Sequence, residues 1–82
     1  MPREVVWLPD AERELLELPH WRDAEAVATA VQGFAERAIG FVRRVPRDDR
    51  SDDLRLYAGK HYVQIRMSPA AVHVVRVVRW RE

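Results

Sequence analysis

Arginine, tyrosine and histidine recur at alternating positions in the last third of the chain, and these side chains suit the binding of a nucleic acid. Guanidinium groups bind phosphates through paired N–H donors, and aromatic rings stack on unpaired bases. Since successive side chains of a strand point to opposite faces, alternating positions in neighbouring strands share one face. The candidate face consists of Arg55, Tyr57, Lys60, Tyr62, Gln64, Arg66, His73, Arg79 and Arg81.

The charge of the chain is unevenly distributed, which also favours an acidic partner. The net charge is +1, but residues 1–53 hold 8 basic and 12 acidic side chains, whereas residues 54–82 hold 6 and 1. Single-stranded RNA is a partner that such a basic, aromatic sheet face would suit. The pattern also fits a solvated face whose charges meet only their cross-strand neighbours, or a chance asymmetry in a charge-rich chain, so these alternatives stay open.

Length and composition exclude several classes of protein. A chain of 82 residues is expected to form one domain, residues 1–82. The absence of cysteine excludes disulfides, and His20, His61 and His73 lack the short spacing of metal ligands. We therefore predict neither a metal nor a small-molecule cofactor. No apolar run approaches the roughly 18 residues of a membrane span, and no signal-peptide pattern opens the sequence. We expect a cytoplasmic protein without a membrane partner.

The first half of the chain predicts one strand and two helices. Residues 3–8 form a short apolar run rich in β-branched and aromatic side chains, which predicts a strand. Residues 11–18 predict a helix that is capped by Asp10 and stopped by Pro19. Residues 20–45 predict a longer helix, because apolar side chains recur there at intervals of three and four.

Two glycines interrupt this longer predicted helix. Glycine in a helix interior costs about 1 kcal/mol relative to alanine. Gly33 and Gly40 are seven residues apart, so they would lie on one side of the helix. Their presence favours a close approach of the first helix there over two merely tolerated glycines.

The second half of the chain predicts a loop and three strands. Residues 46–53 contain no apolar side chain and predict the loop. Residues 54–58, 60–67 and 71–80 predict strands separated by short turns. The order β-α-α-β-β-β is typical of an α+β domain in which two N-terminal helices pack on one face of a small antiparallel meander. The other face of the sheet is open to solvent or to a partner.

The turn at Pro69 and Ala70 sets the register of the last two strands. A two-residue turn pairs Ser68 with Ala71, Ile65 with Val74, Gln64 with Val75, and Lys60 with Arg79. This register turns Val72, Val74, Arg76, Val78 and Trp80 towards the helices. An inward Arg76 must find a partner or extend to an edge. A three-residue turn would release Arg76 but bury Arg79, and we prefer the first register.

Three segments of the chain resemble a known family. "VVWLPDAERELLELP" is similar to the opening strand and helix of the RelE/ParE superfamily of bacterial toxins. "LRLYAGKHYVQIRM" is similar to the hairpin of that family, and "VHVVRVVRWRE" to its last strand, which ends in a basic and aromatic cluster. The short ending resembles the YoeB type. The resemblance spans nearly the whole chain and implies the RelE-like fold.

The resemblance implies the toxin of a type II toxin–antitoxin pair. The expected activity is that of a ribosome-dependent endoribonuclease, in which the 2′-hydroxyl of messenger RNA attacks the adjacent phosphate. The implied partners are a cognate antitoxin, the ribosome and mRNA. One alternative is a ParE-like toxin that inhibits DNA gyrase without catalysis. Another is a non-toxic relative that binds RNA or protein.

The resemblance also implies roles for individual residues. The catalytic candidates are Tyr62, Arg66, Arg79 and Arg81. Tyr62 occupies the position of a family arginine, for which Arg66 could substitute, and Arg79 and Arg81 fall near the family's C-terminal acid–base residues. Arginine is a poor proton donor, so Tyr62, His73 or Glu82 would move protons. The RNA-binding candidates are Arg55, Tyr57, Lys60 and His73. A family glutamate base has no clear counterpart; its region holds Asp48, Asp49, Asp52 and Asp53.

Overall fold

The protein consists of a five-stranded sheet with two helices packed on one face. This is seen in a computed structural model, which describes residues 2–44 and 53–80. The strand order is β1-β5-β4-β3-β2; β1 runs parallel to β5, and the other neighbours are antiparallel. The elements are β1 (Glu4–Trp7), α1 (Pro9–Leu16), α2 (Trp21–Arg37), β2 (Phe41–Arg44), β3 (Asp53–Ala58), β4 (His61–Met67) and β5 (Ala71–Arg79). The predicted α+β class is confirmed.

The core lies between the helices and the inner face of the sheet. The predicted alternation of β3 and β4 is confirmed, because Leu56, Val63 and Ile65 are fully buried. The remaining buried apolar side chains of this cluster are Ala11, Val27, Val31, Phe34, Ala35, Val72, Val74 and Val77. Small and β-branched side chains dominate it, as a sheet covered by helices on one face requires. The opposite, open face carries the polar and aromatic positions.

The prediction of one helix over residues 20–45 is wrong, because α2 ends at Arg37 and residues 41–44 form the edge strand β2. Ala38 has a left-handed φ of 56° and caps the helix through its N–H to the carbonyl of Phe34 at 2.9 Å. Gly40 has a φ of +155°, and a Cβ there would lie 2.6 Å from Leu56 Cδ1. The close approach at Gly40 is therefore to β3 and not to the first helix.

Between the turn and Ile65, the pairing of β4 with β5 is the predicted one. Farther from the turn, beyond Ile65, the pairing differs from the prediction by one residue. Ile65 pairs with Val74, but Gln64 pairs with Arg76, so Val75 is an extra residue that forms a β-bulge. The bulge shifts the alternation of β5 by one residue. Val77 consequently faces the core, and Arg76 is exposed instead of buried. An inward guanidinium would carry a large desolvation cost, which the bulge avoids.

The prediction that Lys60 lies on the open face of a strand is wrong, because Lys60 belongs to the turn between β3 and β4. Ala58 pairs with His61, so Gly59 and Lys60 form a two-residue hairpin turn. Gly59 has a φ of +61°, which such hairpin turns need and glycine adopts without steric cost. Lys60 thus lies at the end of the hairpin and not within a strand on the open face. It lies instead near Asp23, at the start of α2.

The first helix covers the part of β5 that β1 leaves unpaired. β1 pairs with β5 only from Ala71 to Val74. Beyond that point a side chain of α1 takes over, because the carboxylate of Glu14 accepts the backbone N–H of Val77 at 3.0 Å. The hydrogen bond from Arg76 lowers the pKa of Glu14, against the opposing effect of its burial, and the Val77 bond adds to the decrease. Glu14 therefore satisfies an edge donor that has no strand partner in this part of the sheet.

Candidate nucleic-acid interface

Three cross-strand rows of side chains make up the open face of the sheet. The register places residues of neighbouring strands directly opposite one another on this face. The aromatic row contains Phe41, Tyr57, Tyr62 and Val78; the arginine row contains Arg43, Arg55, Gln64 and Arg76; the third row contains Asp53, Arg66 and His73.

The aromatic row forms a connected cluster of rings around Tyr57. Its ring centroid lies 5.7 Å from that of Phe41 and 5.6 Å from that of Tyr62. Trp80, just after β5, joins the cluster edge-to-face with a centroid 5.2 Å from Tyr57. Two of the four rings are largely exposed, Phe41 at 59% and Trp80 at 47%. Such exposure of large rings on one face marks a candidate binding surface.

A shallow pocket opens between these rings. It has a volume of about 270 Å³ and is lined by Phe41, Arg43, Tyr57 and Trp80. The indole Nε1–H of Trp80 donates to the carbonyl of Gly59 at 3.2 Å, which fixes the orientation of the ring. The pocket therefore has aromatic walls that are held in place by the β3–β4 turn.

The arginine row carries positive charge over the rings. The guanidinium carbon of Arg43 lies 5.3 Å from the ring centroid of Phe41, and that of Arg55 lies 4.7 Å from the centroid of Tyr62. Both distances fall within the range of cation–π contacts. Arg43 and Arg55 are direct cross-strand partners, and no carboxylate among residues 2–43 and 53–80 forms an ion pair with either of them.

The third row contains an ion pair between a buried carboxylate, Asp53, and the partly exposed guanidinium of Arg66. Arg66 Nε donates to Asp53 Oδ1 at 2.8 Å, and Nη2 donates to Oδ2 at 3.3 Å. Asp53 is 2% exposed, so the pairing neutralises a carboxylate that has lost most of its water. Nδ1 of His73 lies 3.4 Å from the backbone carbonyl of Arg66. The row therefore places an imidazole next to an oriented guanidinium.

Comparison with known proteins identifies a solved structure with a similar fold. No protein-family model matches the sequence, and no curated protein is significantly similar to it. The crystal structure of the toxin–antitoxin complex RelBE2 from Mycobacterium tuberculosis contains a chain that superposes with a TM-score of 0.82 at 20% sequence identity. The match covers 100% of this chain and 95% of that one. The chain has a RelE-like fold. The resemblance is confirmed at this level, and the YoeB-like ending stays a prediction.

On this RelE-like fold, five of the predicted site residues share the open face. They come from β3, β4 and β5 and are Arg55, Tyr57, Tyr62, Arg66 and His73. The alternation of the four residues from β3 and β4 was predictable because each of these two strands has one clearly apolar face. Their roles in binding or catalysis stay predictions.

Two other predicted site residues do not join them, and a third lies outside the described residues. Lys60 lies in the hairpin turn. Arg79 pairs with the buried His61, whose side is the helix face of the sheet, so the prediction that Arg79 shares the open face is wrong. The bulge at Val75 is the physical cause, since it reverses the alternation beyond that residue. Arg81 falls outside the described residues.

Sequence reasoning missed three residues of the open face: Phe41, Arg43 and Trp80. The first two were assigned to a helix, and Trp80 to the inner face. The glycine at residue 40, followed by the β-branched and aromatic run "FVRRV", is the signal that could have identified β2. No comparable signal marks the bulge that turns Trp80 outward.

The helix side of the sheet holds a buried histidine. His61 is 3% exposed, and its Nδ1 has no hydrogen-bond partner among the described residues. Burial lowers the pKa of His61; the nearby Asp23 opposes this decrease, and Arg79 and Lys60 add to it. Burial therefore favours the neutral form of the imidazole, and the sheet separates His61 from the open face.

Neither helix of the described residues is long and apolar enough to cross a membrane. In the same part of the chain, no cluster of three His, Asp or Glu side chains is arranged to hold a metal ion.

Proposed function

We propose that this chain is the toxin of a bacterial toxin–antitoxin pair and cleaves messenger RNA on the ribosome. One observation carries the proposal: on the fold of a chain from a toxin–antitoxin complex, the open sheet face combines exposed aromatic rings with arginines that have no acidic partner in the described chain. Rings of this kind stack unpaired bases, and guanidinium groups bind phosphates.

The side chains of the open face suit cleavage by the RNA itself. The 2′-hydroxyl oxygen attacks the adjacent phosphorus and gives up its proton, the P–O5′ bond breaks, and the departing O5′ takes a proton. The products are a 2′,3′-cyclic phosphate and a free 5′-hydroxyl. An imidazole can accept a proton, and a neutral phenol can donate one. His73 is accordingly the proposed base and Tyr62 the proposed acid.

The proposed cations are Arg55 and Arg66, which would stabilise the negative charge that develops on the phosphate. Asp53 orients Arg66 through the paired hydrogen bonds, and such fixed donors stabilise a transition state without reorganising during the reaction. Arg79 lies on the helix side and is left out of this set. A role for Arg81 remains a prediction from the resemblance.

A toxin of this kind acts in the cytoplasm together with an antitoxin. The proposed antitoxin folds part of its chain onto the toxin on binding. Because it binds only the folded toxin, the purified complex should melt at a higher temperature than the free chain. Equal melting temperatures at saturating antitoxin would contradict the partnership.

The decisive experiment induces the chain in a bacterial host and maps the 5′ ends of its messenger RNAs. We expect growth arrest and new ends within translated messages. Tyr62→Phe and His73→Gln should each abolish the new ends, whereas Arg79→Gln, a change on the other side of the sheet, should leave them. Growth arrest with intact messages and a DNA-damage response would instead support gyrase inhibition, and unimpaired growth would exclude a toxin in that host.

A further inference from the structure

The pocket on the open face has the shape and chemistry of a site for one flat, unsaturated ring. Phe41 and Trp80 both contact Tyr57 edge-to-face, and Arg43 lies over the ring of Phe41. The two rings nevertheless remain 59% and 47% exposed, so packing within the cluster does not cover them fully. The pocket of about 270 Å³ between them has room for a nucleobase. Every base has a π-face, so stacking in such a pocket tolerates different sequences.

A separate observation points to an anion beside this pocket. Arg43 and Arg55 face each other directly across β2 and β3, and like charges in this arrangement destabilise a sheet. Neither forms an ion pair among the described residues, and their guanidinium groups lie over the rings of Phe41 and Tyr62. An anion bound between the two guanidinium groups would remove their repulsion.

The spacing of the two features matches one nucleotide. Arg43 is two residues from Phe41 along β2, and Arg55 is two residues from Tyr57 along β3. Two residues of a strand span about 7 Å, which is comparable to the reach from the base to the phosphate within one nucleotide. The base pocket and the arginine pair therefore lie side by side in both strands.

We infer that these residues form a site for a single unstacked nucleotide of RNA, with its base between Phe41 and Trp80 and its phosphate between Arg43 and Arg55. This inference rests on the proposed function and adds to it the side chains that hold the substrate. Phe41 lies at the β2 end of the aromatic row that also contains Tyr62, so the site would anchor one nucleotide at that end of the row.

The test measures binding of a fluorescein-labelled, single-stranded RNA hexamer to the full chain by anisotropy over a range of salt concentrations. Phe41→Ala and Trp80→Ala should each weaken binding about tenfold, the scale of one lost base–aromatic stack, and should leave the salt dependence unchanged. Arg43→Gln should weaken binding and reduce the slope of log K against log salt by about 0.7, the value for one phosphate contact on a single strand. Phe41→Leu keeps the apolar area of the edge strand and should weaken binding nearly as much as Phe41→Ala.

The chain offers a matched control on the helix side. Arg22 lies 5.5 Å from the ring centroid of Trp21, which is 68% exposed, so this pair has the same chemistry away from the sheet face. Trp21→Ala and Arg22→Gln should bind the hexamer like the wild type. Unchanged affinity in Phe41→Ala, Phe41→Leu and Trp80→Ala, or an unchanged salt slope in Arg43→Gln, would overturn the inference.

The outcomes separate this site from the proposed function. If the hexamer binds as expected but induction of the chain neither arrests growth nor cleaves messages, the nucleotide site stands and the toxin role fails. If messages are cleaved equally by the wild type and by Phe41→Ala and Arg43→Gln, and these variants bind the hexamer normally, the site fails and the toxin role stands. Loss of antitoxin binding in Phe41→Ala with unchanged RNA binding would assign the pocket to a protein and overturn the inference.

Discussion

Arg76 on the last strand is bound to Glu14 on the first helix, with Nη2 2.8 Å and Nε 2.9 Å from the same carboxylate oxygen. The other oxygen of Glu14 accepts the backbone N–H of Val77 at 3.0 Å. The carboxylate of Glu14 therefore accepts hydrogen bonds both from the guanidinium of Arg76 and from a backbone N–H at the edge of β5. It also fixes α1 against the part of β5 that lies beyond the end of β1.

Replacing Glu14 should lower the stability of the fold. Glu14→Ala leaves the N–H of Val77 without its acceptor, and loss of a hydrogen bond to a charged group costs about 1.5–3 kcal/mol. Glu14→Gln keeps a carbonyl oxygen for Val77 and should cost less. Urea unfolding would measure both changes in the free energy of unfolding. Glu12→Ala, at an exposed position of the same helix, is the control and should change it little.

The stability contributed by Glu14 should depend on pH. Its pKa is lowered from an ordinary value of 4.5 chiefly by the Arg76 hydrogen bond, so the folded state favours the ionised form. The contribution is complete above the pKa of the unfolded chain and is lost as the pH falls through the lower folded value. The melting-temperature difference between the wild type and Glu14→Gln should therefore stay constant from pH 7 to about 5 and shrink below the ordinary pKa. A difference that grew on acidification would contradict this role.

His61 should make the protein less stable in mild acid. Its pKa is lowered from 6.5 by burial, so below pH 6.5 the unfolded chain takes up a proton that the folded chain does not. Stability is then complete above pH 6.5 and declines as the pH falls towards the folded value. His61→Leu should remove this decline in thermal melts between pH 7.5 and 5. His20→Gln, at an exposed position before α2, should retain it.

The two glycines of the predicted long helix should respond oppositely to alanine. At Gly40 a Cβ would lie 2.6 Å from the buried Leu56 Cδ1 on a backbone with a φ of +155°, so Gly40→Ala should cost about 1–3 kcal/mol. At Gly33 the added Cβ would meet no atom within 4 Å beyond its chain neighbours and the adjacent backbone of its own helix, and Gly33→Ala should stabilise the helix by about 1 kcal/mol. Thermal unfolding of both variants is the measurement; stabilisation by Gly40→Ala would refute the close approach.

The sequence predicts those parts of the fold whose patterns have a single interpretation. β3 and β4 alternate between apolar and polar side chains, so Arg55, Tyr57 and Tyr62 could be placed on one face. β2 was assigned to the helix because Phe41 and Val42 continue the helical spacing, and because the helix ends on Ala38 in a conformation that usually requires glycine.

The register of β5 was undetermined for a different reason. In "AVHVVRVVR" valines occupy both faces. Shifting the register of the strand by one residue would therefore bury nearly as many apolar side chains as the unshifted register. The choice depends on where Arg76 finds a partner, and that partner, Glu14, is 62 residues away. A contact so distant in sequence leaves no local pattern, so the positions of Arg79 and Trp80 could not be read from the strand itself.

The extra residue at Val75 makes β5 a strand with two phases. Up to Val74 its even-numbered residues face the helices; from Val77 onward the odd-numbered ones do. Removing or adding one residue at this point would reverse which side chains after the bulge face the helices and which face outward. No side chain would need to be replaced for this change. Length variation of a single residue there could thus change the surface that a partner meets more than several point substitutions would.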